Sequence, residues 1–460
     1  MALDKAIFDT ITPSRFITFT ISNPNPSLSH QLIRVAVLDS PIQLTTGLPR
    51  VAAMFVPQNR ETDWIFSTES GHLELLLSSP HFSRLILIGN QPSIINCPDS
   101  PPVFHRCPID NSFEQSLKPL VIALSPNTWF KDGNFEIPIL RYEDDVVCGV
   151  VLEKSVGSFV GEMLVEDVEF VSTTSKREFR RRLRFKRMPN LVQTLIRIVP
   201  EVGFELVCVK IGEVKFRPDV GVLVHGYLVP MVASLAMISG YLEERTRVGR
   251  PKALCVGVGG GALLGFLKTL LGFQVVGVEV DEEVLRIARQ YFGWEDDEFI
   301  QVVVGDAIKV LKNLACRGSD WEWGDFGVNG VENDGCVVGS KFDVIMVDLD
   351  AGDLRNGISA PPLEFVRKDV LIAAKMVLCD FGVFVINVIP PSRSFYDMLI
   401  CDFKEVFHEL YEIDVENGES FVLIATVSDM VSSLGNHEDT FIMKLRMVIS
   451  GAYVDSIRKI

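Results

Sequence analysis

The sequence predicts an α/β protein in which a parallel sheet follows a β-rich α+β region. Three observations support this prediction. After a charged segment at 243–251, strand-like apolar runs alternate with helical periods, which is typical of a parallel sheet. Before that segment, short β-branched runs alternate with Pro, Asn and Ser residues, which favours strands and turns. With 460 residues, of which 47% are hydrophobic and 23% charged, the chain is large enough for two or three cores.

Residues 1–145 form the first expected region, an α+β unit. Apolar and β-branched runs predict its strands, and a short helical pattern lies among them. The predicted strands lie at 16–21, 32–38 and 84–89, and the predicted helix lies at 72–77. Several prolines within 96–107 predict a surface loop there.

Residues 146–245 form the second expected region, a β-rich lid or linker. The run 159–171 predicts a strand, and the basic run 176–187 predicts another because its apolar residues recur with a period of two. A solvated strand face explains this basic run better than a nucleic-acid site does.

An uncharged stretch at 220–242 has the length of a membrane span. Its interior holds His225 and Pro230, and acidic residues rather than basic ones flank it at Asp219 and Glu243. A strand followed by a buried helix is therefore the better interpretation, and no membrane association is predicted.

Residues 246–460 form the third expected region and carry the alternating pattern. The predicted strands lie at 253–258, 275–279, 300–304, 342–347 and 382–389, and the clearest helices at 282–292 and 363–378. Two further runs at 410–415 and 420–427, with a turn between them, predict an antiparallel hairpin at the sheet edge. The segment 317–341 is rich in Gly, Asp, Asn and Trp and predicts a surface insertion.

Composition narrows the class of protein. The chain has 44 Lys and Arg against 60 Asp and Glu, a net charge of −16, which disfavours nonspecific nucleic-acid binding and favours cationic partners. Its nine cysteines never form a C-x-x-C pair, which predicts a reduced compartment and no structural zinc or other metal site. The first residues include early acids and no basic segment before an apolar run, which predicts a cytoplasmic protein without a signal or transit peptide.

A glycine-rich loop follows the first strand of the predicted parallel sheet. Gly257, Gly259 and Gly261 leave the backbone free to approach a ligand, and the helix that follows offers N–H groups to an anion. The spacing through Ala262 also matches the G-x-G-x-x-[GA] dinucleotide fingerprint. The loop by itself is therefore compatible with nicotinamide and with sulfonium cofactors.

Acidic residues end the next three strands. Glu279 ends the second strand, where a carboxylate can accept both ribose hydroxyls of an adenosine-type ligand. Asp306, with Ala307, follows the third strand in a position to bind an adenine amino group, and Asp348 and Asp350 follow the fourth. A helix cap explains either Glu279 or Asp306 equally well when it is taken singly. Together, at successive strand ends, the acids predict an S-adenosylmethionine site.

These motifs resemble the spermidine-synthase-like branch of the Rossmann-like, seven-stranded methyltransferases. Within that branch, the chain resembles in particular the dual lysine and N-terminal methyltransferases of translation elongation factor 1-alpha, the methyltransferase-like protein 13 family. The resemblance extends over most of the chain and implies that the chain corresponds to the C-terminal half of that family and the linker before it. The matching segments are 54–66, 161–168, 278–292, 305–306, 342–348 and 361–366.

The resemblance implies a methyltransferase that uses S-adenosyl-L-methionine and trimethylates the N-terminal α-amine of elongation factor 1-alpha. The predicted cofactor-binding residues are Gly257, Gly259, Gly261, Glu279, Asp306, Ala307 and Asp348, and the predicted catalytic residues are Asp348, Asp350 and Asn387. The two aspartates would attract a cationic chain end and relay its proton, while the Asn387 carbonyl would fix the amine. Methyl transfer needs a neutral amine held in line, so positioning would supply most of the catalysis.

Two other functions stay open. Polyamine aminopropyltransferases of the same branch carry an acid in the glycine loop and an Asp-Ser-Ser-Asp run, whereas this chain has Gly260 and Asp348-Leu-Asp-Ala351. A noncatalytic binding protein that keeps the fold is disfavoured, because clustered carboxylates are costly without a role. His225 stands in a segment that is polar and His-rich in the family, and it is interpreted as a core histidine. A homodimer is a further expectation.

Overall fold

The structure is a computed structural model whose described residues form three β-sheets. It describes residues 5–24, 31–41, 50–79, 81–91, 103–106, 111–130, 136–142, 145–171, 176–201, 209–295, 297–317, 341–352, 359–415, 418–429, 440–449 and 451–460.

The first sheet is mixed and lies between helices. Its strands, in the spatial order β1-β2-β4-β3-β6, are β1 (Phe16–Ser22), β2 (Leu32–Asp39), β3 (Val51–Phe55), β4 (Arg84–Asn90) and β6 (Ile139–Leu140), while β5 (Val103–His105) joins the next sheet. Its helices are α1 (Trp64–Ser67), α2 (Glu69–Leu77) and α3 (Asn111–Ala123), with 3-10 turns at Lys5–Phe8 and Asn127–Phe130. Ile65 of α1 and Leu75 of α2 are buried on one face of the sheet, and Leu117 and Val121 of α3 are buried on the other. This arrangement confirms the predicted α+β character and the three predicted strands.

The second sheet is antiparallel throughout and has six strands. Besides β5, its strands are β7 (Val146–Gly157), β8 (Gly161–Val171), β9 (Arg177–Phe185), β10 (Met188–Pro200) and β11 (Phe216–Leu223), in the order β11-β10-β9-β8-β7-β5. The predicted surface loop at 96–107 is wrong at its described end, because 103–105 pair with β7. Residues 96–102 and 107 lie outside the described residues.

The basic run forms β9, as its alternation predicts, but the expectation of a solvated face is wrong. Arg181 and Arg182 are buried, and β8 places Asp167 and Glu166 directly opposite them. The guanidinium of Arg181 donates to Asp167 at 2.6 and 2.9 Å, and Arg182 donates to Glu166 at 2.6 Å. Buried charges of this kind need partners, and the acidic residues of β8 supply them. These arginines are therefore engaged inside the protein.

The third sheet holds the predicted parallel strands. Its strands are β12 (Lys252–Val256), β13 (Gln274–Glu279), β14 (Ile300–Val304), β15 (Phe342–Val347), β16 (Leu378–Val388), β17 (Glu409–Asp414), β18 (Phe421–Thr426) and β19 (Arg458–Lys459). Its helices are α4 (Leu228–Ala233), α5 (Ser239–Val248), α6 (Ala262–Phe266), α7 (Glu282–Tyr291), α8 (Ala307–Arg317), α9 (Lys368–Val377), α10 (Arg393–Lys404), α11 (Thr440–Val448) and α12 (Gly451–Asp455), with a 3-10 turn at Ser234–Ile238 and a π turn at Leu267–Leu271.

The strand order of this sheet is β14-β13-β12-β15-β16-β18-β17-β19. β12 to β16 pair in parallel, whereas β18 is antiparallel to both β16 and β17, which confirms the predicted edge hairpin. The first seven strands thus form a Rossmann-like methyltransferase sheet, and the two-residue β19 adds an edge. The strand order reverses between β12 and β15, where open α/β sheets bind ligands.

The segment 220–242 forms the end of a strand and then buried helices, as predicted. Met231 and Leu235 are fully buried in the core of the third sheet, so α4 and α5 pack with residues 246–460 rather than with the second sheet. No helix in the described ranges combines the length and the hydropathy that a membrane crossing requires. Of the predicted surface insertion, 318–340 lie outside the described residues.

The second sheet packs against the third region beside its ligand edge. Val284 and Ile287 of α7 are buried in one cluster with Met163 and Leu183 of the second sheet. The backbone N–H of Val160, in the turn between β7 and β8, donates to Asp281 at 3.0 Å. The second sheet therefore forms one wall of the crevice at the strand ends.

Candidate functional site

A cleft of about 350 Å³ lies at the carboxyl ends of the parallel strands. Since β12 to β16 run in parallel, the residues after each strand meet at this edge. Eight of the nine residues predicted from the sequence as cofactor-binding or catalytic line this cleft, and Gly261 is the exception. The predicted residues that line the cleft are Gly257, Gly259, Glu279, Asp306, Ala307, Asp348, Asp350 and Asn387.

The glycine loop turns sharply between β12 and α6. Gly257 and Gly259 have φ values of +85° and +52°, in the left-handed region that favours glycine. A Cβ atom at Gly257 would lie 2.0 Å from the backbone oxygen of Asp348, so the loop and the end of β15 are in direct contact. The hydroxyl of Thr194 on β10 accepts a hydrogen bond from the N–H of Gly260 at 2.8 Å. The second sheet therefore helps to hold the loop.

Gly261 lies on the other side of this loop. A Cβ atom there would lie 2.4 Å from the Trp294 ring, and Gly261 lines a separate cavity with Gly260 and Phe292. Gly261 is therefore not among the residues that line the cleft, and its role in cofactor binding stays a prediction. The glycine is needed because its φ is +80° and the indole packs directly against its backbone.

Glu279 ends β13 and organises the backbone around it. One carboxylate oxygen accepts from the N–H groups of Val258 and Gly259 at 3.2 and 3.3 Å, and the other accepts from Val280 and Asp281 at 2.9 and 3.2 Å. Burial raises the pKa of Glu279, and these four donors oppose the rise. Glu279 thus fixes the glycine loop and also faces the cleft.

Asp306 caps a helix, and its position at the cleft is compatible with the ligand-binding role that the sequence also predicts. Its Oδ1 accepts from the backbone N–H groups of Ile308 and Lys309 at 2.9 and 3.3 Å, which caps the start of α8. The side chain is exposed at the cleft. Since the cap uses Oδ1, the Oδ2 atom is available to a ligand in the cleft.

Asp348 is the most strongly perturbed carboxyl group of the cleft. Tyr227 donates its hydroxyl hydrogen to Asp348 Oδ2 at 3.0 Å, and Asn387 also hydrogen-bonds to the Asp348 carboxylate. Burial raises the pKa of Asp348 to about 7, the two hydrogen bonds oppose the rise, and the charge of Asp350 adds to it. Near neutral pH, this carboxyl group can therefore both accept and release a proton.

Asn387 stands beside Asp348 near the end of β16 and is 2% exposed. Its Oδ1 atom is buried and has no hydrogen-bond partner among the residues that the structure describes. Buried acceptors are rarely left unpaired, so this atom is a candidate contact for an N–H group in the cleft. Gln193 on β10 presents a similarly unpaired buried Nε2 donor and also lines the cleft.

Asp350 is engaged in an ion pair. Both of its carboxylate oxygens lie 2.7 Å from an Arg187 nitrogen, and the guanidinium also stacks over the Phe185 ring at 5.1 Å. Arg187 neutralises the negative charge of Asp350, whereas the sequence predicts that Asp348 and Asp350 together attract a cation. Asp350 therefore contributes less net charge to the cleft than expected.

His225 is partly buried and lines the cleft, so its interpretation as a satisfied core histidine is wrong. Its ring packs on Tyr227 with centroids 4.3 Å apart. Burial lowers the pKa of His225 to about 4, so the ring is neutral near neutral pH.

Sequence reasoning missed the residues that come from outside the strand ends. Tyr227 stands two positions after His225, and Arg187 is the last residue of the basic run. The two-residue period of apolar side chains in this run places Arg187 on the face of a predicted strand. The missing signal is that it follows the last paired residue of β9 and lies in a turn.

Several known proteins resemble this chain. No protein-family model matches it. The eEF1A lysine and N-terminal methyltransferase of Homo sapiens is 27% identical over 407 residues, which cover 84% of this chain and 52% of the human protein. The homolog from Drosophila pseudoobscura pseudoobscura is 26% identical over 392 residues, covering 84% and 50%. A polyamine aminopropyltransferase of Vibrio vulnificus (strain CMCP6) is 25% identical over 190 residues, covering 41% and 52%.

The chain spans about half the length of the curated eEF1A methyltransferases that it matches. The match to the aminopropyltransferase is shorter and involves less than half of this chain. The strand order, the cleft and these similarities agree with the resemblance that the sequence motifs indicate. Over most of its length, the chain is similar to the eEF1A lysine and N-terminal methyltransferases.

Proposed function

We propose that the chain is an S-adenosylmethionine-dependent methyltransferase that modifies the N-terminal α-amine of a protein, elongation factor 1-alpha by resemblance. The observation that carries this proposal is the pairing of Asp348, whose pKa is raised to about 7, with the unpartnered Oδ1 of Asn387 in one cleft. The Asp348 carboxylate can take a proton from an amine, and the Asn387 oxygen can hold the amine by a hydrogen bond. The cytoplasm, where translation takes place, is the proposed compartment.

The residues of the cleft fit the proposed cofactor. Glu279 and Asp306 offer carboxylate oxygens for the ribose and the adenine amino group, and Gln193 offers an unpaired buried donor. S-adenosylmethionine supplies an electrophilic methyl group when it is bound. The chain's own contribution is to orient the acceptor amine, remove its proton and exclude water.

The pKa of Asp348 favours an α-amine over a lysine amine. An α-ammonium with a pKa of about 7.7–8.0 lies within about one unit of Asp348, so proton transfer to the carboxylate costs about 1 kcal/mol. For a lysine ammonium at about 10.4, the same transfer costs about 4.6 kcal/mol. The cleft is therefore better matched to a chain end than to a lysine side chain.

The aminopropyltransferase alternative is opposed by the glycine loop. A Cβ atom at Gly260 would lie 2.6 Å from Thr194 Cγ2 and 2.8 Å from the Phe292 ring. The loop therefore has no room for the acid that polyamine enzymes carry at this position. The short match to an aminopropyltransferase is nevertheless a reason to include that activity in the test.

The direct test incubates the purified chain with isotopically labelled S-adenosylmethionine and a peptide from the N-terminus of elongation factor 1-alpha. We expect mass spectrometry to show labelled methyl groups on the α-amine, and none when the peptide is N-terminally acetylated. The parallel reaction contains decarboxylated S-adenosylmethionine and putrescine. Aminopropyl transfer in that reaction, with no labelled peptide in the first, would contradict the proposal.

Replacing Glu279 with glutamine is expected to weaken S-adenosylmethionine binding by about 10- to 100-fold. The Nε2 donor of glutamine would face backbone N–H groups that donate to the carboxylate in the unchanged chain. The loss of these hydrogen bonds to a charged acceptor costs about 1.5–3 kcal/mol. Isothermal titration calorimetry measures the affinity. Glu282→Gln, an exposed position on the following helix, is the matched control. An unchanged affinity in Glu279→Gln would remove Glu279 from the proposed cofactor site.

Replacing Tyr227 with phenylalanine is expected to move the acidic limb of the pH profile upward by about half to one unit. The Tyr227 hydroxyl stabilises the ionised form of Asp348, so its loss raises the Asp348 pKa above about 7. The measurement is kcat/KM for methyl transfer between pH 6 and pH 9. Tyr241→Phe removes a similar hydrogen bond, to Asp343 away from the cleft, and should leave the limb in place. A downward shift in Tyr227→Phe would show that Asp348 is not the titrating group.

A further inference from the structure

The turn between β9 and β10 reaches from the second sheet into the cleft. It contains Lys186 and Arg187, and Arg187 holds both carboxylate oxygens of Asp350 at 2.7 Å. The Arg187 side chain is 30% exposed, whereas that of Asp350 is 6% exposed. The position of the Asp350 carboxylate therefore depends on where this two-residue turn lies.

The first region holds the turn on both of its sides. On α2, the Ser70 hydroxyl donates to the carbonyl oxygen of Lys186 at 3.0 Å, and Glu74 accepts from the N–H of Asn190 at 2.6 Å. Just before the turn, Arg184 donates to Asp63 at 2.9 Å. Each of these contacts joins residues more than 110 positions apart in the chain.

Glu74 is suited to a fixed hydrogen bond rather than to an ion pair. It is 6% exposed, and burial raises its pKa to about 8, so its neutral form predominates at pH 7. A neutral carboxyl group still accepts the Asn190 N–H through its carbonyl oxygen. A glutamine at this position offers the same acceptor, whereas a leucine of similar size does not.

We propose that Ser70 and Glu74 are positioning residues, which act through the Lys186–Arg187 turn to fix Arg187 and, through it, the Asp350 carboxylate at the cleft. This inference rests on the proposed function for its effect on turnover. It assigns to the first region a role in arranging a cleft that it does not itself line. Displacement of a positioning group by about 1 Å can reduce turnover about a hundredfold, so even partial release of the turn has a measurable effect.

The test compares four variants of the 460-residue chain with the unchanged chain. Glu74→Leu and Ser70→Ala remove one contact each, Glu74→Gln restores the acceptor, and Lys118→Ala removes an exposed ion pair elsewhere in the first region. We expect Glu74→Leu to lower kcat about tenfold and Ser70→Ala severalfold, while the affinity for S-adenosylmethionine changes less than about twofold. Glu74→Gln and Lys118→Ala should retain normal kcat.

A second readout does not depend on activity. Phenylglyoxal modifies accessible guanidinium groups, and peptide mass spectrometry gives its rate of reaction at Arg187. We expect Arg187 to react severalfold faster in Glu74→Leu than in Glu74→Gln, because release of the turn exposes the guanidinium. Equal rates in all variants would overturn the inference, as would equal loss of kcat in Glu74→Leu and Glu74→Gln. If the unchanged chain transfers no methyl group, the proposed function fails, and the modification rates still decide the inference.

Discussion

Replacing Asp348 with asparagine is expected to reduce kcat for methyl transfer by about 10²- to 10⁴-fold, the range that a positioned general base contributes. An asparagine side chain has nearly the same shape and can still accept from the Tyr227 hydroxyl, but it cannot take a proton. The loss should therefore appear in kcat, because the bound amine stays protonated in most complexes. Affinity for S-adenosylmethionine should change much less than kcat.

Single-turnover kinetics with the elongation factor peptide, together with calorimetry of cofactor binding, measures these two effects separately. Asp397→Asn, an exposed carboxylate on α10 that pairs with Arg393, controls for a general effect of removing an acid. Normal turnover in Asp348→Asn would show that the amine loses its proton without this carboxyl group. Turnover that recovers at high pH would instead support the assigned role, because a deprotonated amine needs no base.

The same variant should be more stable than the unchanged chain at pH 8. The pKa of Asp348 is about 7 in the folded state against an ordinary value of 3.8, so the folded protein holds this proton more tightly than the unfolded chain does. The free energy of unfolding of the unchanged chain therefore falls as pH rises from about 4 to about 7. The upper bound of this loss is about 4 kcal/mol. We expect a higher Tm for Asp348→Asn at pH 8, and an advantage that disappears as pH falls toward 4.

The strands of the third sheet were predictable because their signal is local. A parallel strand buried on both faces is a short run of apolar residues. The strands predicted at 275–279 and 342–347 agree with β13 and β15 to within one residue. The short β5 was missed because its three residues are flanked by prolines and pair with a strand more than 40 positions away. Periodicity carries no information about such a partner.

The face of β9 shows the same limit for charged residues. The arginines follow the alternation of a strand, but whether their side of the sheet faces water depends on what β8 places opposite them. Glu166 and Asp167 were visible in the sequence, and their pairing with Arg182 and Arg181 was not. Buried ion pairs of this kind depend on the register between strands, which composition does not give.

The candidate site was predictable to the extent that it follows the strand ends. Glu279, Asp306 and Asp348 could be placed at one edge because parallel strands bring their carboxyl ends together. Tyr227 and Arg187 enter the cleft from a helix start and from a turn of another sheet, so no spacing rule connects them to the acids. The sequence thus indicates which acids lie at the same edge of the sheet. The tertiary contacts determine which of them has a shifted pKa and which forms an ion pair.

Replacing Gly257 with alanine is expected to weaken S-adenosylmethionine binding and to lower kcat, each by at least about a hundredfold. A Cβ atom at this position would lie 2.0 Å from the Asp348 backbone oxygen, far inside the contact distance that real Cβ atoms show. Gly257 cannot move away easily, because its N–H donates to Val278 at 2.9 Å. The end of β15 must therefore shift, and it carries Asp348 with it.

Gly272→Ala is a control that has the backbone strain of Gly257→Ala without its contact to the Asp348 backbone oxygen. Gly272 has a φ of +80°, close to the +85° of Gly257, but a Cβ atom there meets nothing within 4 Å. Alanine at Gly272 should cost only the left-handed strain, about 1–2 kcal/mol, and should leave cofactor affinity and kcat unchanged. Calorimetry and thermal unfolding of the two variants make the comparison. If Gly257→Ala behaves like Gly272→Ala, the loop and the Asp348 strand end are not coupled, and the acid's position does not depend on the glycine.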